Sequence, residues 1–330
     1  MSTINLQQSR EERTMNQTHV VFGANGALGY AIVNQLVKEG KPTRAVVRNL
    51  AKAREILPAG AEIVAADALK LAEVSKASEG AAILYNIANV PYADWFSQMP
   101  LIADNIMAAA EQSGAKLLFA GNFYGYGHFQ HPPVKEDHPL AAHTRKGQLR
   151  NQLEAKMLAA HQAGRVQVVI PRMPEFYGPN VTNALIAPLF KAALAGKKAS
   201  WPANLDQPHE MLYNADAAAA CLLLANNAAA YGQSWQIPGA GPITGRQFLA
   251  LVYQAAGKPL NVGVMAQWFV RFGGLFNGNA REFAEMMYQF AEPYMIDGSK
   301  FAAAHPDFHF TPHLEAVRHT LEWFGQHPAA

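Results

Sequence analysis

Three glycines within seven residues, Gly23, Gly26 and Gly29 in GANGALG, separate a short apolar run from a helical pattern. Residues 19–22 (HVVF) read as a buried strand, being short, continuous and β-branched. Residues 28–39 carry apolar side chains at helical spacing, and Gly40 closes them as a C-cap. Each glycine then has a separate reason. Gly23 permits the tight turn, Gly26 lets backbone approach a pyrophosphate, and Gly29 allows close helix–strand packing. The helix start adds unpaired N–H groups and a positive dipole end. The spacing is G-x-x-G-x-x-G rather than the commoner G-x-G-x-x-G, but the strand before and the helix after supply the context such a loop requires. A dinucleotide held by Gly23, Asn25, Gly26, Ala27, Leu28 and Gly29 is the expectation.

Further strands are predicted at 43–47, within 61–67, and at 81–88, 115–120 and 166–171, with helices between them near 51–57, 69–78, 99–113 and 147–163. Continuous apolar strands separated by helices indicate a parallel sheet covered on both faces. With right-handed crossovers this is an α/β, Rossmann-type doubly wound sheet. After Gly178 proline and glycine punctuate the chain more often, which predicts a smaller C-terminal region closing a cleft. The expected organisation is a flexible leader at 1–18, a dinucleotide-binding domain at 19–178 and a substrate-binding region at 179–330. Met265, Trp268, Phe269 and Phe272 read as core, with a dimer face or cleft wall as the alternative.

Half the 330 residues are hydrophobic and 16% are charged, which excludes a disordered chain. With 27 Lys and Arg against 25 Asp and Glu, the formal charge of +2 provides no field for nucleic acid or a membrane surface. The single cysteine, Cys221, excludes an internal disulfide framework and a Cys-based zinc site, and reads as a buried, inert thiol. The polar N-terminal segment lacks the apolar core of a secretory signal, and 215–230 is too short and polar to span a bilayer. A soluble, cytoplasmic protein is expected. His305 and His309 sit four apart, but Pro306 between them argues against a helical ligand pair, so no metal is expected.

The second strand ends AVVRN, placing Arg48 where an acid would otherwise receive the ribose 2′-hydroxyl. An arginine there pairs with a 2′-phosphate, which favours NADP over NAD. Asp67 is positioned to accept from an adenine amino group, and Asn86, Ile87 and Ala88 to pass near the ribose and nicotinamide, because ligands sit at the carboxyl ends of the strands.

The chain resembles the short-chain dehydrogenase/reductase superfamily, in its extended or atypical branch of NAD-dependent epimerase/dehydratase-like proteins. GANGALG, VVRNLAKA, Asp67, LYNIANV, LLFAGNFYGYG, PRMPEFYGPN, LYNADAAAA and YGQSWQIPGAGPITGRQF carry the resemblance in order, from about His19 to Phe324. It implies a Ser/Thr, Tyr and Lys set performing acid–base chemistry. Here those positions fall on Asn122, Lys146 and Arg150, with Glu154 at its usual spacing from the pair. Asn122 can bond a substrate oxygen, Arg150 can grip the ribose, and Lys146 is a candidate electrophile but a poor acid. Tyr124, Tyr126 and His128 are the alternative acids, unless they pack the loop. Glu175, Tyr177 and Asn180, with a second cluster of His209, Glu210 and Tyr213, are the candidate substrate residues, and Asp216 reads as a helix cap. The resemblance also implies a homodimer paired through helices. Two functions follow: an NADP-dependent oxidoreductase acting on a small carbonyl or alcohol, or a non-catalytic dinucleotide binder on the same fold.

Overall fold

The computed structural model describes residues 18–273, 276 and 278–328, so the expected leader lies almost wholly outside the described residues. The first half alternates strand and helix: β1 (Thr18–Phe22), α1 (Ala27–Lys38), β2 (Thr43–Val47), α2 (Leu50–Ile56), β3 (Glu62–Ala65), α3 (Leu71–Ala77), β4 (Ala81–Asn86), α4 (Trp95–Ser113), β5 (Lys116–Phe119), α5 (Arg145–Gln162) and β6 (Val168–Arg172). The remainder is β7 (Glu175–Tyr177), α6 (Ile186–Leu194), β8 (Ala199–Pro202), β9 (Pro208–His209), β10 (Met211–Tyr213), α7 (Asn214–Asn226), β11 (Ser234–Gln236), β12 (Ile243–Thr244) and α8 (Gly245–Ala255). It ends with β13 (Val262–Met265), α9 (Gln267–Gly273), α10 (Gly278–Met286), α11 (Tyr288–Ala291), α12 (Ser299–Ala304) and α13 (His313–Gln326).

A seven-stranded sheet runs β11-β6-β5-β4-β1-β2-β3, and every pairing in it is parallel. The strand order reverses between β1 and β4, which opens a crevice at their carboxyl ends. Successive residues of a strand face opposite sides. Val21 therefore joins the layer with Ile32 and Leu36 of α1 and Cys221 of α7, whereas Val20 and Phe22 join the layer with Ile102 and Ile106 of α4 and Met157 of α5. Burying each such side chain contributes about 1.5–3 kcal/mol. Local chemistry starts the helices: Asn49 accepts from the Lys52 amide, Thr144 from the Gly147 amide, and Thr244 with Gln247 closes a capping box.

The chain after 178 is not confined to one spatial region. Helix α7 packs on α1, and β11 extends the main sheet beside β6. The sequence did not mark β11 as a strand because SWQ is too short for a period to register. The separate C-terminal core is built from α6, α8, α13 and Trp201. Asp216 lies inside α7 and accepts from both the amide and the hydroxyl of Thr311, so it ties down the chain before α13 rather than capping its own helix. Trp268 and Phe272 are 73% and 60% exposed, so these two are not core; Met265 is half-buried. Cys221 is fully buried, and burial pushes its thiol up.

Candidate functional site

The cradle begins where β1 runs out. Gly23 has φ +84, and a side chain there would bring its Cβ to 2.8 Å from Ala88 Cα, so only glycine makes the turn unstrained. Its carbonyl accepts from the Gly26 amide at 3.0 Å, and a Cβ on Gly29 would collide with that same carbonyl. From the C-terminal half, Asn180 donates to the Asn25 carbonyl at 3.1 Å, while Asn214 donates to the carbonyls of Ala27 (3.1 Å) and Pro179 (2.7 Å). The glycine loop is thus gripped from both sides.

In front of it lies a cleft of about 680 Å³. Gly23, Asn25, Gly26, Ala27 and Leu28 form one wall and Asn86, Ile87 and Ala88 another; Gly29 stays behind as a packing residue. Toward β2 the cleft continues into a smaller hollow lined by Arg48, Asp67, Leu69 and Gln98. One Asp67 oxygen accepts from the Leu69 amide at 3.0 Å. Arg48 is exposed. Arg44, the other arginine of that strand, is committed to Glu62 and to the carbonyls of Ala77 and Glu79.

At the opposite end the cleft is lined by Asn122, Tyr124, Arg150, Glu175 and His209, together with Tyr92 and Tyr294. Asn122 accepts from the Tyr124 amide at 3.1 Å, and the Tyr124 and Tyr92 hydroxyls are 2.7 Å apart. Arg150 donates to the Ala120 carbonyl, and its buried Nε has no partner among the described residues. A cationic N–H left unsatisfied at the cleft wall, beside a glycine loop open to close approach, fits an anionic, hydroxyl-rich dinucleotide. Glu175 opens β7 immediately beyond β6, and burial pushes its carboxyl up to about 7. His209 lies between the rings of Phe290 (4.5 Å) and Tyr294 (4.8 Å), and burial lowers its pKa to about 3, so it stays neutral. Its Nδ1 is buried without a partner among the described residues.

Besides Gly29, six expected site residues are not in the cleft wall. Lys146 is fully buried and ion-paired with Glu282 and Glu285 of α10, which neutralise the cation a substrate oxyanion would need. Tyr126 is sealed among Phe123, Val134 and Tyr294, and its hydroxyl accepts from Arg172 at 2.6 Å and Gln236 at 2.9 Å. Tyr177 packs into the C-terminal core with its hydroxyl on His313 at 3.0 Å. The Tyr213 hydroxyl meets His319 at 3.4 Å. The polar partners just named lie 46 or more positions away along the chain, so a local sequence motif could not report them. His128 is also elsewhere, paired with Glu292 at 2.9 Å and stacked on His143 at 4.2 Å. Glu210 is buried beside the cleft's floor, where it accepts from the Gly239 amide; burial raises it to about 7.

Tyr92, Trp95, Tyr294 and Gln289 line the cleft without having been anticipated. Tyr92 and Trp95 follow the fourth strand, so the carboxyl-end rule could have found them. Tyr294 and Gln289 are brought in from the far end of the chain and carry no local signal. Among the described residues no three His, Cys, Asp or Glu converge as a metal site, and no helix is long and apolar enough to cross a membrane.

A glycine cradle at the switch point of a doubly wound parallel sheet, opening into a polar cleft, defines a nicotinamide-dinucleotide-binding enzyme fold. The model of the NAD dependent epimerase/dehydratase family matches residues 19–237, and the chain belongs to that family. The solved UDP-glucose 4-epimerase of Thermus thermophilus, in complex with NAD, superposes with a TM-score of 0.77 at 18% identity over 93% of this chain and 99% of that one. The dTDP-glucose 4,6-dehydratase of Bacillus anthracis, also with NAD, gives 0.79 at 15% identity over 95% and 98%. The UDP-glucuronic acid 4-epimerase of Bacillus cereus gives 0.77 at 15% over 94% and 99%. At these identities the likeness is one of fold. No curated protein matches the sequence.

Proposed function

We propose that the protein is an NADP-dependent oxidoreductase acting on a small, uncharged carbonyl or alcohol compound. The observation that carries this reading is the composition of the cleft wall: beyond the glycine loop its charged side chains among the described residues are Arg150 and Glu175, set among Tyr92, Trp95, Tyr124 and Tyr294. A sugar-nucleotide diphosphate calls for several cations to replace its water, and the wall beyond the glycine loop offers Arg150. A neutral substrate with one polar oxygen meets aromatic faces and a few hydrogen-bond partners.

Gly23, Asn25, Gly26, Ala27 and Leu28 would hold the pyrophosphate, Asp67 the adenine, Asn86 to Ala88 the ribose and nicotinamide side, and Arg150 the ribose. A bound nicotinamide supplies or accepts a hydride at the substrate carbon. The chain's own part is to orient the carbonyl through Asn122 and to exclude water with the aromatic wall. Asn180, in this reading, acts through the Asn25 carbonyl rather than on the substrate.

Arg48 supports NADP over the NAD seen in the related structures, since it lines the adenosine-side hollow with no acid in its place. Calorimetric titration with both phosphorylated and unphosphorylated nucleotides tests it. NADP(H) should bind preferentially, and Arg48→Ala should weaken it by about 1.5–3 kcal/mol, roughly 10- to 150-fold, leaving NAD(H) unchanged. Equal affinity for both nucleotides, unaltered in the variant, would overturn the NADP assignment.

The sequestration of Lys146 by Glu282 and Glu285 favours a second reading, a dinucleotide-binding sensor without turnover. Tight nucleotide binding with no hydride transfer across a broad carbonyl and alcohol panel would select it.

A further inference from the structure

We propose that Glu175 is the proton carrier of the cleft, acting with the Tyr124–Tyr92 hydroxyl pair in place of residue 146. This rests on the oxidoreductase reading and adds the identity of its acid.

A carbonyl reduction needs a proton at the developing alkoxide, and Lys146 is locked into two carboxylates behind the cleft wall. Glu175 is the carboxyl on that wall, placed at the carboxyl end of the sheet where reacting atoms sit. Among the described residues no hydrogen-bond acceptor, donor or ion-pair partner engages its side chain, so its proton is available to a ligand. Tyr92 and Tyr124 both feel its charge, as does Tyr294. These three phenols are held neutral by burial, as is His209, and Arg150 is the cation sharing the cleft. Lys146 lies 5.2 Å from the Tyr92 ring, and Glu285 reaches the same phenol from beyond it. A carboxyl titrating near 7 is protonated often enough to donate and acidic enough to let go.

The step balances. The carbonyl carbon gains a C–H bond from the reduced nicotinamide, which is oxidised, and the carbonyl π electrons move to oxygen. An O–H bond forms there as the Glu175 O–H bond breaks, while the Tyr124–Tyr92 hydroxyl pair holds the same oxygen by a hydrogen bond. The carboxylate left behind is reprotonated from water at the cleft mouth. Alcohol oxidation is the reverse.

Glu175→Gln keeps the shape and removes the titration. Its kcat for carbonyl reduction should fall on the order of 10²–10⁴-fold with nucleotide affinity unchanged. In the wild type the reduction rate should decline as pH rises through about 7, and this limb should vanish in the variant.

Denaturant unfolding against pH provides a readout independent of turnover. The folded state keeps a proton on Glu175 that the unfolded chain releases above the ordinary value of 4.5, so this group's stabilisation is lost as pH rises from 4.5 to about 7. Glu210 contributes in the same sense, so the difference between wild type and Glu175→Gln isolates Glu175. Parallel stability curves, or a turning-over Glu175→Gln within about threefold of wild-type kcat, far less than acid–base catalysis contributes, would overturn the proposal and leave the oxidoreductase reading standing. A wild type that binds nucleotide and reduces nothing would overturn the oxidoreductase reading, and the proton carrier with it.

Discussion

Lys146→Met should destabilise the fold by about 3 kcal/mol, because it removes the buried cation between two carboxylates and leaves Glu282 only the exposed Arg281 at 3.7 Å. Lys146 is fully buried on α5, while Glu282 and Glu285 on α10 are 15% and 26% exposed. The three charges pin the C-terminal helical segment to the sheet domain. Glu285 also accepts from the Arg145 amide at 2.8 Å, so one carboxylate serves both the ion pair and the first turn of α5. Urea unfolding of Lys146→Met at neutral pH checks the loss. The triple variant with Glu282→Gln and Glu285→Gln should recover most of it, since the penalty comes from unpaired charge rather than lost volume. A single variant as stable as wild type would mean that water reaches this site and solvates all three groups.

Glu154→Ala should cost about 3–5 kcal/mol, the largest effect anticipated for one substitution. Glu154 and Arg172 are 4% and 6% exposed and meet at 2.9 Å beneath the cleft floor. Arg172 also donates to the Tyr126 hydroxyl at 2.6 Å, and Tyr126 accepts in turn from Gln236 at 2.9 Å. Losing the carboxylate strands a buried guanidinium close enough to Arg150 for each to raise the other's cost. A Glu154 oxygen also packs on Gly121, next to Asn122, so this end of the cleft should loosen along with the fold. Thermal melting and hydrogen exchange of residues 120–126 measure the two consequences, and Glu154→Gln should be milder because it retains an acceptor.

The glycine cradle and six of the seven sheet strands are legible in the sequence, because turn chemistry, buried-strand runs and helical periodicity are properties of adjacent residues. The boundaries moved by at most a few residues, as at α4, which begins at Trp95 rather than 99. Arg48 and Asp67 could be placed together in the hollow beside the glycine loop for the same reason: strand ends are local, and the sheet's switch point follows from strand order. Glu175 could be expected on the cleft by its position after the sixth strand, but not as a carboxyl titrating near neutrality, which depends on what covers it.

Tertiary structure decided which of the candidate side chains face the cleft. Tyr124 and Tyr126 are two residues apart on one turn; one reaches Tyr92 across the cleft and the other is sealed against Arg172. Lys146 meets carboxylates 136 and 139 positions away, and β11 adds its few residues to a sheet whose pattern was otherwise complete. The sequence alone determined the fold class and the cradle, since these rest on short-range periodicity and backbone sterics. Burial and charge pairing are sums over neighbours from distant parts of the chain, so which side chains face the cleft and which are sequestered appears only when α10, β7 and the loop around Tyr124 are brought together.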